Sequence, residues 1–483
     1  MKKFSYIFFL TGLLLFLSAC EKGFDSVNND PNNPSTVPTA YLLTSAQRSV
    51  VTELMGRNSD WGIDVTPRRY MQHWSATLYT ETDRYQEIRE DFSTFYSGGL
   101  QDLTEIIRLN TDETTKYEAA KSGPNENQIA IARILKAWVF QNITDIWGDV
   151  PYSEALQGDT NYSPQYDTQE SIYADLIKEL DESTDQFVDG DISGDIIFNG
   201  SIDKWKLFAQ SLKLRLGIRM SKVAPALAKT AVQEAISKGV FTSNDDNALY
   251  LYLTAAPNNN PWQQQYDYGA PEFAITTTMI GKLTSLSDPR LAIYANPAEN
   301  SGKFVGMPYG VTAAVAGSYG ASNVSLPGDK VRQATSPAIL LTYSEVLFNK
   351  AEAAARGWIN EDAEALYKSA ITASMQYWGV TDSAITSYLA QPAIAFNKIT
   401  FQKSIGEQKW LALYMQGVET WSEWRRLGYP ELVVAPDAVQ NRAIPRRRGY
   451  PQSESSLNQT NYDAAVARQG PDLMDIRIWW DKE

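Results

Sequence analysis

The chain of 483 residues carries 43 lysine and arginine against 57 aspartate and glutamate side chains, a formal net charge of −14 at pH 7. This acidic balance argues against nucleic acid and against an anionic membrane surface as partners. With one histidine, His73, and one cysteine, Cys20, the chain cannot form an internal disulfide, a histidine-based zinc cluster or a catalytic dyad, and we expect no metal and no cofactor.

The first twenty residues have the layout of a lipoprotein signal. Two lysines are followed by an apolar run at 7–17 and by the motif LSAC at 17–20. This order is typical of a secretory signal peptide, and the apolar run is shorter than the ~20 residues that span a membrane. Because LSAC resembles a bacterial lipobox, we predict a signal peptide at 1–19 and lipidation of Cys20. The alternative is an ordinary signal peptide with a chance cysteine.

The segment that follows the cysteine predicts a tether. Its sequence VNNDPNNPSTVP, at 27–38, is rich in Asn and Pro and poor in large apolar side chains. Such a stretch cannot bury enough surface to fold. We therefore predict a flexible tether over 20–38 and a folded body over 39–483.

Apolar residues at three- and four-residue spacing predict helices in most of this body. The helices fall into three pairs, at about 129–187, 203–239 and 344–377, with small residues where two helices cross. Such pairs resemble tetratricopeptide-type hairpins. The predicted fold is mostly α, with a tetratricopeptide-like scaffold of helix pairs, irregular loops and few short strands, of which NALYLYL at 247–253 is the best candidate.

Capping residues predict several boundaries of these helices. Gly148 should end the first helix of the first pair, and Asp167 with Glu170 resembles a capping box before the second. Ser201 is expected to cap the next helix, and Asn360 to begin the last.

Two stretches interrupt the helical pattern. Residues 254–273 combine Asn, Gln, Trp and Tyr with Pro and Gly, and residues 301–330 are rich in Gly and Ser. Loops of this length in a compact body are usually functional or disordered. We expect both stretches to form loops on one side of the scaffold.

Five segments stand out along the chain. They are NNDPNNPSTVP at 28–38, ITDIWGDVPYSEAL at 143–156, LYMQGVETWSEWRRLGYP at 413–430, IPRRRGYPQSESSLNQTNYDAAV at 444–466 and MDIRIWWD at 474–481. Together they resemble the SusD/RagB nutrient-binding outer-membrane lipoproteins of Bacteroidetes, in particular their shorter SusD-like branch. The resemblance spans nearly the whole chain after the predicted signal, and no single segment would suffice for it.

The resemblance implies a location and a role. Such proteins are lipid-anchored at the cell surface, lie over a SusC-like TonB-dependent transporter in the outer membrane, and have no enzymatic activity. They capture oligosaccharides, or in some members peptides, and deliver them to the transporter. The resemblance also implies that 39–483 is a ligand-binding domain whose irregular loops form the ligand face.

Sugar rings stack on Trp and Tyr faces while amides, carboxylates and Arg pair with hydroxyls, so a glycan site needs exposed aromatics among such side chains. Related proteins take ligand residues from an early region and from mid-chain loops, so we expect two groups of candidates to converge. Trp262 is the strongest candidate and Trp74 the one most typical of packing, because most large aromatics are buried. The candidates are Trp262, Gln263, Gln265, Tyr266 and Tyr268 in the mid-chain group, Trp74, Tyr79, Arg84 and Tyr85 in the early group, and Tyr309 and Tyr319 in the Gly-rich loop.

Two alternative functions remain open on the sequence. Peptide capture would use the same scaffold, and an anchored glycoside hydrolase would need a pair of carboxylates, which the acidic composition does not exclude. The RRR motif at 446–448 is expected to pair with carboxylates, either internally or across the transporter contact. We interpret Asp145 and Asp149 as turn-stabilising and the tryptophans at 421, 424, 479 and 480 as core.

Overall fold

A computed structural model describes residues 37–56, 62–267 and 271–482. The predicted signal peptide at 1–19, Cys20 and most of the tether at 20–38 lie outside the described residues, and so does Tyr268. Along the described stretches, no helix combines the length and the apolar character that crossing a membrane requires.

Helices dominate the described part, and the strands are few and short. The α-helices are α1 Thr39–Met55, α2 Val65–Tyr70, α3 Ser93–Phe95, α4 Gln101–Thr111, α5 Lys116–Ala119, α6 Asn125–Trp147, α7 Gln169–Gln186, α8 Ile202–Arg219, α9 Pro225–Lys238, α10 Pro261–Asp267, α11 Thr277–Ser285, α12 Leu291–Tyr294, α13 Ala313–Tyr319, α14 Asp329–Arg332, α15 Tyr343–Ala355, α16 Ala363–Trp378, α17 Asp382–Leu389, α18 Phe401–Ala412, α19 Gly417–Leu427, α20 Glu454–Leu457 and α21 Gln459–Gln469. The strands are β1 Trp74–Ala76, β2 Val150–Pro151, β3 Tyr166–Asp167, β4 Ala248–Tyr250, β5 Phe273–Ile275 and β6 Ala338–Leu341.

The three predicted helix pairs are confirmed. Helices α6 and α7, α8 and α9, and α15 and α16 each pack against one another, and α8 also contacts α7 and α15, which joins the pairs into one scaffold. Small residues lie at the crossings. The Ser344 hydroxyl donates a hydrogen bond of 2.8 Å to the Ala370 carbonyl between α15 and α16.

Some boundaries match the capping residues and others do not. Gly148 ends α6 at a positive φ of 89°, which glycine adopts without strain, and Ser201 caps α8 through the Lys204 amide. The prediction of a capping box at Asp167 was wrong, because Thr168 caps α7. The Asp167 carboxylate instead accepts hydrogen bonds from the amide and the hydroxyl of Ser153. Similarly, Asp362 begins α16 and not Asn360.

The strands form three two-stranded antiparallel sheets. The predicted strand at 247–253 is shorter in the structure, at β4, which pairs with β6. More important for the site, β1 pairs with β5 in the register Trp74 to Ile275. This pairing joins the early region of the chain to the middle of the chain.

A group of buried charged side chains, here called the charged centre, connects the helix pairs. Arg215 and Arg219 of α8 form ion pairs with Glu345 of α15 and Glu419 of α19, each at 2.6 Å. All these side chains are buried. The remaining members of the charged centre are Asp145, Glu352, Lys409, Glu423 and Arg426.

The three arginines at 446–448 pair with carboxylates inside the chain, which is one of the two arrangements predicted for them. Arg446 contacts Asp481 at 3.1 Å, Arg447 contacts Asp472 at 3.0 Å, and Arg448 pairs with Glu90. These pairs fasten the C-terminal segment to the rest of the molecule.

The two aspartates around Trp147 also have structural roles. Asp145 is buried and accepts a hydrogen bond of 2.8 Å from the Trp480 indole, and Asp149 accepts one of 2.9 Å from the Gln169 amide at the start of α7. The predicted core tryptophans at 421, 424 and 480 are buried, and Trp479 is partly buried against the core.

Candidate functional site

Two predicted aromatic residues, one from each group, meet a third aromatic ring beside the β1–β5 pair. Trp74 lies edge-to-face on Trp262, with ring centroids 4.7 Å apart, and Phe273 lies 6.0 Å from Trp74 and 6.2 Å from Trp262. We call these three rings the aromatic cluster. The early and mid-chain regions therefore converge.

Two consecutive arginines of α2 contact different rings of this cluster. The guanidinium of Arg68 lies over the rings of Trp74 and Trp262, at 4.5 and 5.2 Å. The guanidinium of Arg69 lies 5.3 Å from the centre of Phe273. Cation–π contacts of this length contribute about 0.5–2 kcal/mol, and each arginine reaches a different concave surface.

The first concave surface is a cavity of about 180 Å³, here called the aromatic cavity. Its lining combines the buried Arg68 and Trp262 with the half-buried Tyr377 and the exposed Lys330. The opening therefore lies on the side of Lys330 and Tyr377. The other residues of the lining are Met55, Tyr252, Asn260, Val331, Ser336, Pro337, Ala338, Ile339, Trp378 and Met415.

The second concave surface is a cleft of about 240 Å³, here called the Tyr79 cleft. The Tyr79 side chain is 69% exposed at its edge. Both predicted regions contribute to the lining, the early one with Arg69 and the mid-chain one with Glu272 and Phe273, and Glu90 adds a carboxylate from beyond the early region. An exposed ring therefore stands beside carboxylate and guanidinium groups, with the hydroxyls of Thr66 and Thr82 in the same lining.

Hydrogen bonds hold the loop that presents Tyr79. Arg69 donates to the Asp83 carboxylate at 2.6 Å and to the Tyr79 carbonyl at 3.0 Å. The Thr77 amide donates to the Glu272 carbonyl at 2.8 Å, which extends the β1–β5 pairing by one step. The loop is fixed on both sides, and the phenol ring of Tyr79 extends from it into solvent.

Arg68 is only partly satisfied by hydrogen bonds. Its Nη2 atom pairs with Asp64 and donates to the Met415 carbonyl at 3.4 Å, while Nε and Nη1 have no hydrogen-bond partner in the described part of the chain. Only 1% of its surface is exposed. A buried donor without a partner costs about 1–3 kcal/mol, so this side chain is an unusual feature of the cavity.

Below the cluster, His73 is buried against the rings of Trp410 and Tyr414. Its Nε2 atom lies 3.1 Å from the Trp410 carbonyl. Burial, together with the positive charge of Arg68, lowers the pKa of His73 to about 3. The histidine is therefore neutral at physiological pH and takes no part in acid–base chemistry there.

Trp262 does not lie in an exposed loop, as its polar neighbours suggested. It belongs to α10, which begins at Pro261, and only 4% of its surface is exposed. Trp74 is fully buried, in line with the packing role expected for it. Trp262 lines the aromatic cavity, and Trp74 lines neither of the two concave surfaces.

The other mid-chain candidates serve the local structure in different ways. Tyr266 is half-buried, and its hydroxyl donates to the Phe273 carbonyl at 2.7 Å. Gln263 accepts a hydrogen bond from Asn259 at 2.8 Å. Gln265 is buried, and both atoms of its amide group lack a hydrogen-bond partner within the described residues.

Four further candidates lie outside both concave surfaces. Tyr85 and Tyr309 are buried with ring centroids 6.4 Å apart, and Arg84 donates to the Asp437 carbonyl at 2.9 Å. Tyr319, at the end of α13, is 39% exposed. None of these four residues lines the aromatic cavity or the Tyr79 cleft.

The sequence-based prediction missed several residues of both surfaces. They are Arg68, Arg69, Tyr252, Glu272, Lys330, Tyr377 and Trp378. One signal could have pointed to the arginines, because two adjacent cations in the otherwise uncharged stretch VTPRRYMQHW at 65–74 need partners or a ligand. Across the described residues, no group of three or more His, Cys, Asp or Glu side chains could hold a metal ion.

A family model described as "SusD-like: Starch-binding associating with outer membrane" matches residues 31–451. No sequence among curated proteins matches the chain. The structural matches cover nearly the whole of it.

Three solved structures illustrate the similarity. A chitin-binding protein is 29% identical with a TM-score of 0.80, and the match covers 92% of this chain and all of that one. A SusD homolog from Bacteroides fragilis is 25% identical, with the same TM-score and coverage. A chitin-binding SusD homolog from Flavobacterium johnsoniae is 22% identical with a TM-score of 0.76 over 91% of this chain and 99% of that one, which shows a shared fold.

Proposed function

The chain belongs to the SusD-like family, whose members are described as starch-binding and outer-membrane-associated, and we propose that it binds oligosaccharide nutrients at the cell surface. In this proposal Cys20 carries the lipid anchor, and the protein delivers its ligand to a SusC-like TonB-dependent transporter in the outer membrane. The family match and the lipobox-like LSAC motif support this location.

The Tyr79 cleft is the observation that carries the proposal. A pyranose ring can stack on the exposed face of Tyr79 while its hydroxyls donate to the carboxylates of Glu90 and Glu272. The ring protrudes from a loop that Arg69 and Asp83 hold in place, so binding does not require the loop to become ordered first. Two of the similar structures are named chitin-binding, which supports a glycan over a peptide as the ligand.

Calorimetric titration of the full-length chain with a panel of oligosaccharides and peptides tests this proposal. The panel contains maltose-, cellulose- and chitin-type tetraoses and tri- to hexapeptides of mixed sequence. We expect at least one oligosaccharide to bind and the Tyr79→Ala variant to bind it at least tenfold more weakly. Binding of peptides alone would replace the glycan proposal with peptide capture.

Product analysis after the titration tests the enzymatic alternative. The cleft holds two carboxylates, and Glu90 is paired with Arg448, so we expect every oligosaccharide to be recovered intact. Shortened products that disappear in a Glu272→Gln variant would instead indicate glycoside hydrolysis. Tyr117→Ala is the matched control for Tyr79→Ala, because Tyr117 is similarly exposed, at 74%, and lies outside both concave surfaces.

A further inference from the structure

The aromatic cavity has an uneven charge. Two cationic side chains, Arg68 and Lys330, line it, and the lining contains no carboxylate. Lys330 at the opening donates to the Trp378 carbonyl at 2.7 Å, and burial lowers its pKa. The buried Arg68 carries two nitrogen atoms, Nε and Nη1, whose N–H groups no described residue accepts. The cavity therefore favours a group that brings a hydrogen-bond acceptor to Arg68.

The surroundings of Arg68 indicate which kind of acceptor fits. Asp64 already pairs with Arg68, and both side chains are 1% exposed. Because Asp64 already balances the charge of Arg68 and Lys330 is exposed, a carboxylate or phosphate beside Arg68 would be buried among mostly apolar walls without a buried cation to balance it. A neutral carbonyl oxygen accepts the same hydrogen bonds without that cost.

The size and the walls of the cavity restrict the group further. An apolar cavity of ~150 Å³ holds a molecule of the size of benzene, so about 180 Å³ admits one substituent of a sugar and not a chain of sugar rings. The rings of Trp262 and Trp378 and the side chain of Met415 offer apolar contact. A methyl group beside a carbonyl group matches both kinds of wall.

We infer that the aromatic cavity receives the acetamido group of an N-acetylated sugar residue. The acetamido carbonyl accepts hydrogen bonds from Arg68, and the acetamido methyl packs against Trp262 and Trp378. This inference rests on the proposed function, since it takes the ligand to be a glycan, and it names the class of glycan.

A comparison of two β-1,4-linked tetraoses measures what the acetamido group contributes to the affinity. Chitotetraose and cellotetraose share linkage and length and differ at carbon 2, which carries acetamido in one and hydroxyl in the other. Calorimetry on the full-length chain is expected to show chitotetraose binding at least tenfold more tightly than cellotetraose.

Two variants connect this preference to the cavity. Ala338→Leu adds volume to the cavity wall, and the double variant Asp64→Asn with Arg68→Met removes the donors without leaving a lone buried charge. Each is expected to bring the affinity for chitotetraose to within threefold of that for cellotetraose. Ala314→Leu makes the same substitution on the exposed face of α13, outside the cavity, and should keep the preference. Circular dichroism establishes that each variant is folded.

The outcomes separate this inference from the proposed function. Equal affinity for the two tetraoses, or binding of another glycan but of neither tetraose, would overturn the inference and leave the proposed function intact. A preference that persists in Ala338→Leu would place acetamido recognition elsewhere and would also overturn it. If no glycan in the panel binds, the proposed function fails and the inference fails with it.

Discussion

The charged centre and the aromatic cavity both bury arginines, but in the described part of the chain they differ in how many carboxylates pair with each arginine. In the charged centre, Arg215 contacts Glu345 at 2.6 Å and Glu419 at 3.5 Å, and Arg426 contacts Glu352 at 2.6 Å and Glu423 at 2.7 Å. In the aromatic cavity, Arg68 has one carboxylate partner among the described residues, and its Nε and Nη1 atoms have no hydrogen-bond partner there.

This difference separates a structural role from a binding role. In the charged centre the ion pairs compensate for much of the cost of burying charge, and removing either partner leaves the other without compensation. At the cavity, we assign the unpaired donors of Arg68 to a ligand. Residues of the charged centre should therefore affect stability, whereas the donors of Arg68 in the cavity and the exposed Tyr79 in the neighbouring cleft should affect binding.

The largest effect is expected for Glu423→Ala in the charged centre. Burial alone would raise the pKa of Glu423, but Arg426, Lys409 and Arg219 hold it well below its ordinary value. Without this carboxylate, Lys409 retains Asn349 as its hydrogen-bond partner among the described side chains. We expect the free energy of unfolding in urea to fall by about 3–5 kcal/mol.

Glu364→Ala provides the matched control, because Glu364 pairs with Lys368 on the exposed face of α16. Exposed pairs of this spacing contribute about 0.3–0.5 kcal/mol. Equal losses in the two variants would show that the charged centre does not stabilise the scaffold.

A second prediction compares two aromatic residues of the site. Trp262→Ala empties a buried position against Trp74 and Phe273 and is expected to cost about 3 kcal/mol of unfolding free energy. Tyr79→Ala removes a side chain that is 69% exposed and should cost less than about 0.5 kcal/mol. Urea unfolding of the two variants measures both losses, and a Trp262→Ala variant as stable as the wild type would place Trp262 on the surface.

A third prediction concerns pH and His73. The pKa of His73 is about 3 in the folded protein and 6.5 ordinarily. Between these values the unfolded chain binds a proton that the folded chain does not, so stability falls as pH falls from 6.5 toward 3.

His73→Gln retains a side-chain donor for the Trp410 carbonyl and removes this titration. As the pH is lowered from 6 to 4.5, the wild type loses this stability and the variant does not. The unfolding free energy of the wild type minus that of the variant should therefore fall by about 1.4 kcal/mol per pH unit. A constant difference over that range would show that His73 titrates normally.

The smallest effect on stability is expected at Cys20, outside both regions. Cys20→Ala should leave the unfolding transition unchanged and move the protein from the membrane fraction to the soluble fraction, because the variant loses only the lipid anchor. Fractionation after a high-salt wash, in cells that lack the transporter, measures this. A variant that stays in the membrane fraction there would contradict the predicted lipidation.

The scaffold could be predicted from the sequence because its signals are local. Periodicity gave the three helix pairs, and glycine and serine gave several of their ends. Where the prediction was wrong, neighbouring capping residues competed: Thr168 follows Asp167 directly, and Asp362 lies two positions after Asn360.

The site was less predictable because its geometry depends on contacts distant in the sequence. The polar neighbours of Trp262 suggested an exposed loop, but its burial comes from Trp74 and Phe273 across the β1–β5 pair. Similarly, composition does not show which of 43 basic side chains lack a full set of partners, as Arg68 and several other described arginines do. That property of Arg68 appears only in the folded structure.

A crystal structure of the chain with a bound oligosaccharide tests the central claim most directly. The account predicts a sugar ring stacked on Tyr79, with hydroxyl groups within hydrogen-bond distance of Glu90 or Glu272. A ligand bound away from the Tyr79 cleft, with Tyr79 still free in solvent, would contradict it.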